Sequence, residues 1–98
     1  MDIIKKLNGD ELTLVVSGTL NSANYQELED VISVSLKGIK TLVFDLKDLE
    51  YISSAGLRVL LTAKKIMDKQ GKMIVRNTND NVMDIFTITG FVSVLNFE

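Results

Sequence analysis

An α/β fold with a mixed, mostly parallel sheet of four or five strands is predicted by three observations. Short β-forming runs alternate with segments whose apolar residues recur at helical spacing, and that alternation implies parallel strands joined by crossover helices. The first two runs, "DIIKKL" and "ELTLVVSG", are separated only by a turn, which makes them an antiparallel pair. The chain has 98 residues, 46% of them hydrophobic. That is enough for a single domain spanning 1–98 around one core.

The elements follow in order. Asn8-Gly9 lies between strands at roughly 2–7 and 11–18, and both residues accept positive φ, as a tight hairpin turn requires. In "NSANYQELEDVISVSLKG", Tyr25, Leu28, Val31, Ile32 and Leu36 share one helical face. Gln26, Glu27, Glu29, Asp30 and Ser33 fall mostly on the other. Asn21 or Ser22 caps the start, and Gly38 stops the helix in a left-handed conformation. "KTLVFDL" is a buried strand near 40–45, apolar on both faces. The second helix carries Leu57, Leu60, Leu61, Lys64 and Met67 on one face, widened by Val59, Ala63 and Ile66. Arg58, Thr62, Lys65 and Lys69 make its polar stripe, and Gly71 ends it. "KMIVRN" is a further strand. "DNVMDIFTITG" is a third helix, with Asp80 as cap, Val82, Ile85 and Phe86 inward, and Gly90 as stop. "VSVLNF" is a last short strand. The predicted order is β-β-α-β-α-β-α-β, with the helices packed mainly on one face of the sheet.

Composition removes several classes of function. The charged fraction of 24% and net charge of −2 are ordinary for a globular protein and argue against disorder. The chain has no cysteine, which excludes disulfides and thiol chemistry and agrees with a reducing cytoplasm. It has no histidine, which removes the usual general base and the commonest transition-metal ligand. No apolar run approaches the roughly 20 residues of a membrane span, and the N-terminus carries charge early, so no direct membrane insertion is expected. The acidic balance, and two arginines (Arg58 and Arg76) without clustered aromatics, argue against nucleic acid as partner. Asp45 and Asp48 lack the further pattern of a magnesium site, and "GIKTLVFD" lacks phosphate-loop spacing. With no paired acid/base motif either, neither cofactor, metal nor enzymatic activity is predicted.

The most informative stretch is "DLEYISSAGLRVLL", residues 48–61. Ser53 or Ser54 stands where the second helix begins. A serine there can cap the helix by accepting from a free backbone N–H. Small Ala55 and Gly56 let the helix start pack closely on the sheet. The same position can also be a switch. A helix N-terminus favours negative charge, and phosphorylation adds about −1.5 to −2 charges. Asp45, Asp48 and Glu50 precede the serines, so a docked partner meets an acidic surface already. A change of about 1–3 kcal/mol inside such a contact weakens binding roughly five- to 150-fold. The residues alone leave both readings open.

Three stretches carry a resemblance over nearly the whole chain: "GTLNSANYQELE", "LVFDLKDLEYISSAGLRVLL" and "GKMIVRNTNDNVMDIFTITGF". Together they resemble a STAS domain, specifically a stand-alone bacterial anti-sigma factor antagonist. The resemblance implies a cytoplasmic regulator of transcription. In its unphosphorylated form it binds an anti-sigma factor that is also a serine kinase, and so frees the sigma factor. The kinase phosphorylates the motif serine and is released, and a serine phosphatase reverses the step. The family's Ser-x-Gly-Leu matches Ser54, Ala55, Gly56 and Leu57, which makes Ser54 the implied acceptor and Ser53 the second choice. Thr19, Asn21, Ser22, Ser53, Ser54, Gly56 and Arg58 are the implied docking residues. Two positions depart from the family pattern: Ser53 stands where Asp often precedes the acceptor, and Asn21 where Gly-x-Leu is often followed by Asp. The alternative is a non-switching STAS scaffold, or a subunit of a transporter or larger signalling complex, in which the serine is only a cap.

Overall fold

The hairpin forms as expected but turns differently. In the computed structural model, which describes residues 1–98, β1 (Asp2–Asn8) runs antiparallel to β2 (Glu11–Leu20). Asn8 pairs with Glu11, so the connecting loop is Gly9-Asp10, and only Gly9 has a positive φ, +63°. Asn8 remains in the ladder, where extended backbone is needed. The turn that places both Asn8 and Gly9 at positive φ is therefore corrected.

β2 organises the sheet. Leu12, Leu14, Val16 and Leu20 are buried on its inner side, while Thr13 and Val15 are half-buried on the other. Its first half pairs in parallel with β3 (Thr41–Asp45), and its last residues pair in parallel with β4 (Leu49–Ile52). The change of partner occurs at Gly18, where φ is +85° and the register shifts. The Gly18 N–H donates to the Asp48 carbonyl at 3.0 Å. A side chain at Gly18 would need the left-handed region and would place its Cβ 3.3 Å from Met1 Cα, so glycine suits this bulge on both counts. β5 (Lys72–Arg76) pairs in parallel with the far side of β3, giving the order β1-β2-β3-β5 with β4 also on β2. The sheet has five strands and is mixed, as predicted.

Three helices cover the inner side: α1 (Tyr25–Ser35), α2 (Ser54–Asp68) and α3 (Asp80–Ile88). Leu28 and Ile32 of α1, Leu57, Leu60 and Met67 of α2, and Val82 and Phe86 of α3 join Leu14, Leu42, Phe44 and Val75 in one apolar cluster. Burying each such large side chain is worth about 1.5–3 kcal/mol. Gln70 ties the ends of α1 and α2 together by donating to the carbonyls of Leu36 and Ile39 at 2.6 and 2.7 Å. Gly38 and Gly90 follow α1 and α3 in the left-handed region, as the sequence predicts.

Four local expectations are corrected. Residues 49–52, read in sequence as part of a loop, form β4. Two caps move as well. Asn79, not Asp80, caps α3, accepting from the Val82 N–H at 3.0 Å while its amide donates to the Leu49 carbonyl. Asn24, not Asn21 or Ser22, occupies the cap position of α1, and no side chain caps that helix. Last, "VSVLNF" is not a strand. Phe91–Ser93 form a 3-10 turn, Leu95 is buried, and only the final residues reach the sheet. There Val75 bridges Phe97 in parallel, with the Val75 N–H donating to Asn96 and the Glu98 N–H to Val75. The observed order is β-β-α-β-β-α-β-α.

Candidate functional site

The predicted residues gather at the carboxyl ends of the parallel strands, where loops after β2, β3, β4 and β5 meet the start of α2. That edge is the usual place for function in sheets of this kind. Ser54 is the first residue of α2 and is exposed. Ser53 precedes it in extended conformation, φ −92° and ψ 176°. Its N–H donates to the Leu20 carbonyl at 2.9 Å, and its carbonyl accepts from Leu57 N–H at 2.9 Å, the first turn of the helix.

The serine pair does not cap the helix. Neither side chain bonds a free amide of the first turn, and the Ser53 hydroxyl is buried without a hydrogen-bond partner. The first amides of α2 therefore have no intrahelical partner and no side-chain cap. No acidic residue lies in that first turn. The positive end of the helix is unneutralised beside the exposed Ser54 hydroxyl.

The β2–α1 loop is held by its two asparagines. Asn24 donates to the Thr19 carbonyl at 2.7 Å and accepts from the Asn21 N–H at 2.9 Å. Asn21 accepts from the Ala23 N–H at 2.9 Å, a local turn that its side chain closes. Ser22 is exposed at the tip and takes no part in this bonding. Gly56 is buried against the sheet: a Cβ there would lie 2.7 Å from both Ile52 Cγ1 and Leu20 Cγ. Thr19, Asn21, Ser53 and Ser54 are thus brought onto one edge, whereas Gly56, expected among the docking residues, is buried beneath it against Leu20 and Ile52. Arg58, one turn further along α2, is exposed and belongs to neither ion pair, Lys64–Asp68 or Arg76–Glu98.

Sequence reasoning does not single out three residues of this edge. Asn24 and Asn79 fix the loops on either side of the serines, yet each resembles its polar neighbours in sequence. Tyr51 stands half-exposed opposite Thr19, and only the pairing of β4 with β2 reveals it. Of the carboxylates, Asp45 accepts from the Lys47 N–H and from the Asn77 amide, both at 3.2 Å, and Asp48 and Glu50 are exposed. No three acidic side chains converge as a cation site. The arrangement presents an exposed hydroxyl at the uncapped, positive end of a helix, where backbone amides favour negative charge.

A five-stranded mixed sheet with its helices on one face and a serine loop opening α2 is the architecture of a STAS domain. The sequence matches the STAS domain family over residues 2–98, and the chain belongs to that family. It is similar to BtrV of Bordetella bronchiseptica, a protein assigned as an anti-sigma factor antagonist, with 41% identity over 85 residues covering 85% of this chain and 73% of that protein. Solved structures share the fold. The anti-sigma factor antagonist SpoIIAA in its unphosphorylated form superposes with a TM-score of 0.85 at 15% identity, covering 99% of this chain and 88% of that one. An anti-sigma factor antagonist from Mycobacterium paratuberculosis gives 0.87 at 21%, covering 98% and 83%. SpoIIAA in its phosphorylated form gives 0.77 at 14%, covering 99% and 91%.

Proposed function

We propose that this chain is an anti-sigma factor antagonist that switches at Ser54. Unphosphorylated, it occupies a serine-kinase anti-sigma factor and frees the sigma factor. Phosphorylated on Ser54, it lets the kinase go, and a serine phosphatase returns it to the binding form. The observation that carries this reading is the exposed Ser54 hydroxyl at a helix start that no side chain caps. Phosphate at that position meets free amides and the positive end of the helix, so the domain itself tolerates the charge. A partner packed over the same edge does not. It faces the exposed carboxylates of Asp48 and Glu50 already, and further negative charge repels it or must be desolvated. Thr19, Asn21, Ser22, Ser53 and Arg58 frame the docking edge in this reading, with the buried Gly56 letting α2 approach the sheet beneath it, and the same reading places the protein in the cytoplasm.

Two measurements test it. Peptide mass spectrometry of the protein from its own host is expected to find phosphate on Ser54, removable by phosphatase. Binding to the purified kinase-type anti-sigma factor is expected to survive Ser54→Ala and to fall five- to 150-fold in Ser54→Asp. Phosphate on Ser53 would keep the switch and move the acceptor. No phosphate under any growth condition, with Ser54→Asp binding as tightly as wild type, would replace the switch with the non-switching scaffold.

A further inference from the structure

We propose that the free edge of β1 docks a second copy of this chain, with the two β1 strands paired antiparallel about Ile4 so that the two sheets join into one. β1 pairs with β2 on one side and with no strand on the other. None of its residues takes part in the backbone bonds outside the regular elements, so its outward N–H and C=O groups are unpaired. At the opposite end of the sheet the tail residues Asn96–Glu98 lie along β5. Nothing comparable covers β1, where Ile4 is 54% and Leu7 69% exposed. A strand edge of this kind is a ready template for another strand. It is also separate from the serine edge, because β1 reaches only Ser17 of β2, short of the Leu20 carbonyl that holds Ser53.

Charge selects the occupant and its register. Symmetric antiparallel pairing puts a twofold axis normal to the sheet, and each residue then meets one on its own face. An axis at Lys5 or Lys6 sets two lysines against each other, which destabilises the pair. An axis nearer either end leaves little of the strand overlapping. An axis at Ile4 pairs residues 2–6 of both copies without a like-charge contact. Ile4 then meets Ile4, and Asp2 meets Lys6 on each side of it. Ile3 lies against the aliphatic stem of Lys5. Asp2 and Lys6 have no opposite charge within their own chain: across the ladder they face Ser17 and Thr13, and neither belongs to an ion pair. The Met1 ammonium lies against Gly18, beyond the end of this ladder. Ile4 faces the half-buried Val15, so the same axis continues one apolar row from Val15 of one copy to Val15 of the other. Lysines on an edge strand guard against unregistered pairing, and here they leave this register as the self-complementary one.

Sedimentation equilibrium of the full chain at low ionic strength tests the proposal. A contact on one strand edge is small and small interfaces are weak, so the chain is expected to be largely dimeric at about 0.1 mM. Asp2→Lys and Lys6→Asp each turn the opposite-charge pairs into like-charge pairs. Each is expected to raise the dissociation constant at least about tenfold. An equimolar mixture of the two variants is expected to dimerise as the wild type does, because residues 2 and 6 are again opposite in sign across the axis. That recovery separates a lost contact from a damaged fold. Ile4→Cys is expected to give a disulfide-linked dimer on mild oxidation, since residues facing each other in an antiparallel pair have Cα atoms about 4.5–5.5 Å apart, and Leu7→Cys is expected not to. If the wild type is monomeric at that concentration, the second copy is the wrong occupant and the edge is left to an extended segment of another protein. If it dimerises and the single variants dimerise equally well, the contact lies elsewhere on the molecule. If the single variants are monomeric and their mixture is too, the register about Ile4 is wrong.

Discussion

The Ser53 N–H donates to the Leu20 carbonyl at 2.9 Å. This one bond joins the two stretches that look most distinctive in the sequence, the turn after β2 and the serine loop, which are more than thirty residues apart in the chain. It extends the β2–β4 ladder by one step and brings the chain directly into α2. The serine edge is therefore an outgrowth of the sheet, not a free loop, and its geometry depends on how closely α2 approaches β2 and β4.

That approach is set by Gly56. A methyl group there would lie 2.7 Å from Leu20 Cγ and Ile52 Cγ1, and 2.9 Å from Leu20 Cδ2. These are side chains and can shift, so Gly56→Ala is expected to destabilise the fold by about 1–2 kcal/mol. Gly71→Ala is the sterner case, because its Cβ would fall 1.9 Å from the Lys40 carbonyl oxygen, which accepts from the Lys72 N–H. Its expected cost is about 3 kcal/mol, the upper end of overpacking. Urea midpoints of the two variants check the ranking, and equal costs would show that the Lys40–Lys72 backbone yields as easily as Leu20.

Ser53 and Asn79 look alike as helix-start residues, and their side chains predict opposite responses. The Ser53 hydroxyl is buried without a partner. Removing it in Ser53→Ala is expected to leave stability unchanged or to raise it by up to about 1 kcal/mol, because a desolvated, unpaired group disappears. Asn79 both caps α3 and donates to Leu49 of β4. Asn79→Ala is expected to cost about 1–2 kcal/mol. Thermal or urea unfolding of the pair decides it. A destabilised Ser53→Ala would mean that the hydroxyl has a partner in solution.

Sequence periodicity reveals the elements whose signal is local. Leu28, Ile32 and Leu36 mark α1 by spacing alone, and Leu42 to Phe44 mark a strand buried on both faces. β4 has no such signal. Its four residues read buried, exposed, exposed, buried, and it exists because Gly18 bends β2 away from β3 and offers it an edge. The caps fail by one to three positions for a related reason: Asn21, Asn24, Asn79 and Asp80 all have suitable side chains, and only the loop path selects among them. Ser54 is legible because a motif carries it. Tyr51 is not, since its exposure depends on a strand that periodicity misses. The terminal "VSVLNF" misleads in the other direction, being rich in β-formers with only its end reaching a partner.

That end closes one edge of the sheet. Asn96–Glu98 run beside β5, and the Phe97 ring lies 5.2 Å from that of Phe86. Glu98 pairs with Arg76 at 2.7 Å, with both side chains well exposed. Exposed ion pairs contribute about 0–1 kcal/mol, whereas an aromatic pair adds about 0.5–1.5 kcal/mol beyond its buried area. Phe97→Ala is therefore expected to destabilise clearly more than Glu98→Ala, by about 1–2 kcal/mol, and to speed amide exchange at Val75. If Glu98→Ala is the costlier change, the ion pair rather than the ring holds the tail.

A negative charge at residue 54 is expected to act with opposite sign on the fold and on the complex. α2 begins with no side-chain cap and no acidic residue in its first turn. Ser54→Asp supplies both the charge and a potential acceptor there, and is expected to stabilise the isolated chain by about 0.3–1 kcal/mol at low ionic strength, less in high salt. The same substitution is expected to weaken the kinase-type partner's binding five- to 150-fold. Urea unfolding and binding titrations on one preparation make the comparison. A variant that is more stable yet binds worse places the effect at the docked surface, as the switch requires. A variant that binds worse and is also less stable would mean that the charge disrupts the start of α2, and that release follows from damage to the fold rather than from repulsion across the contact.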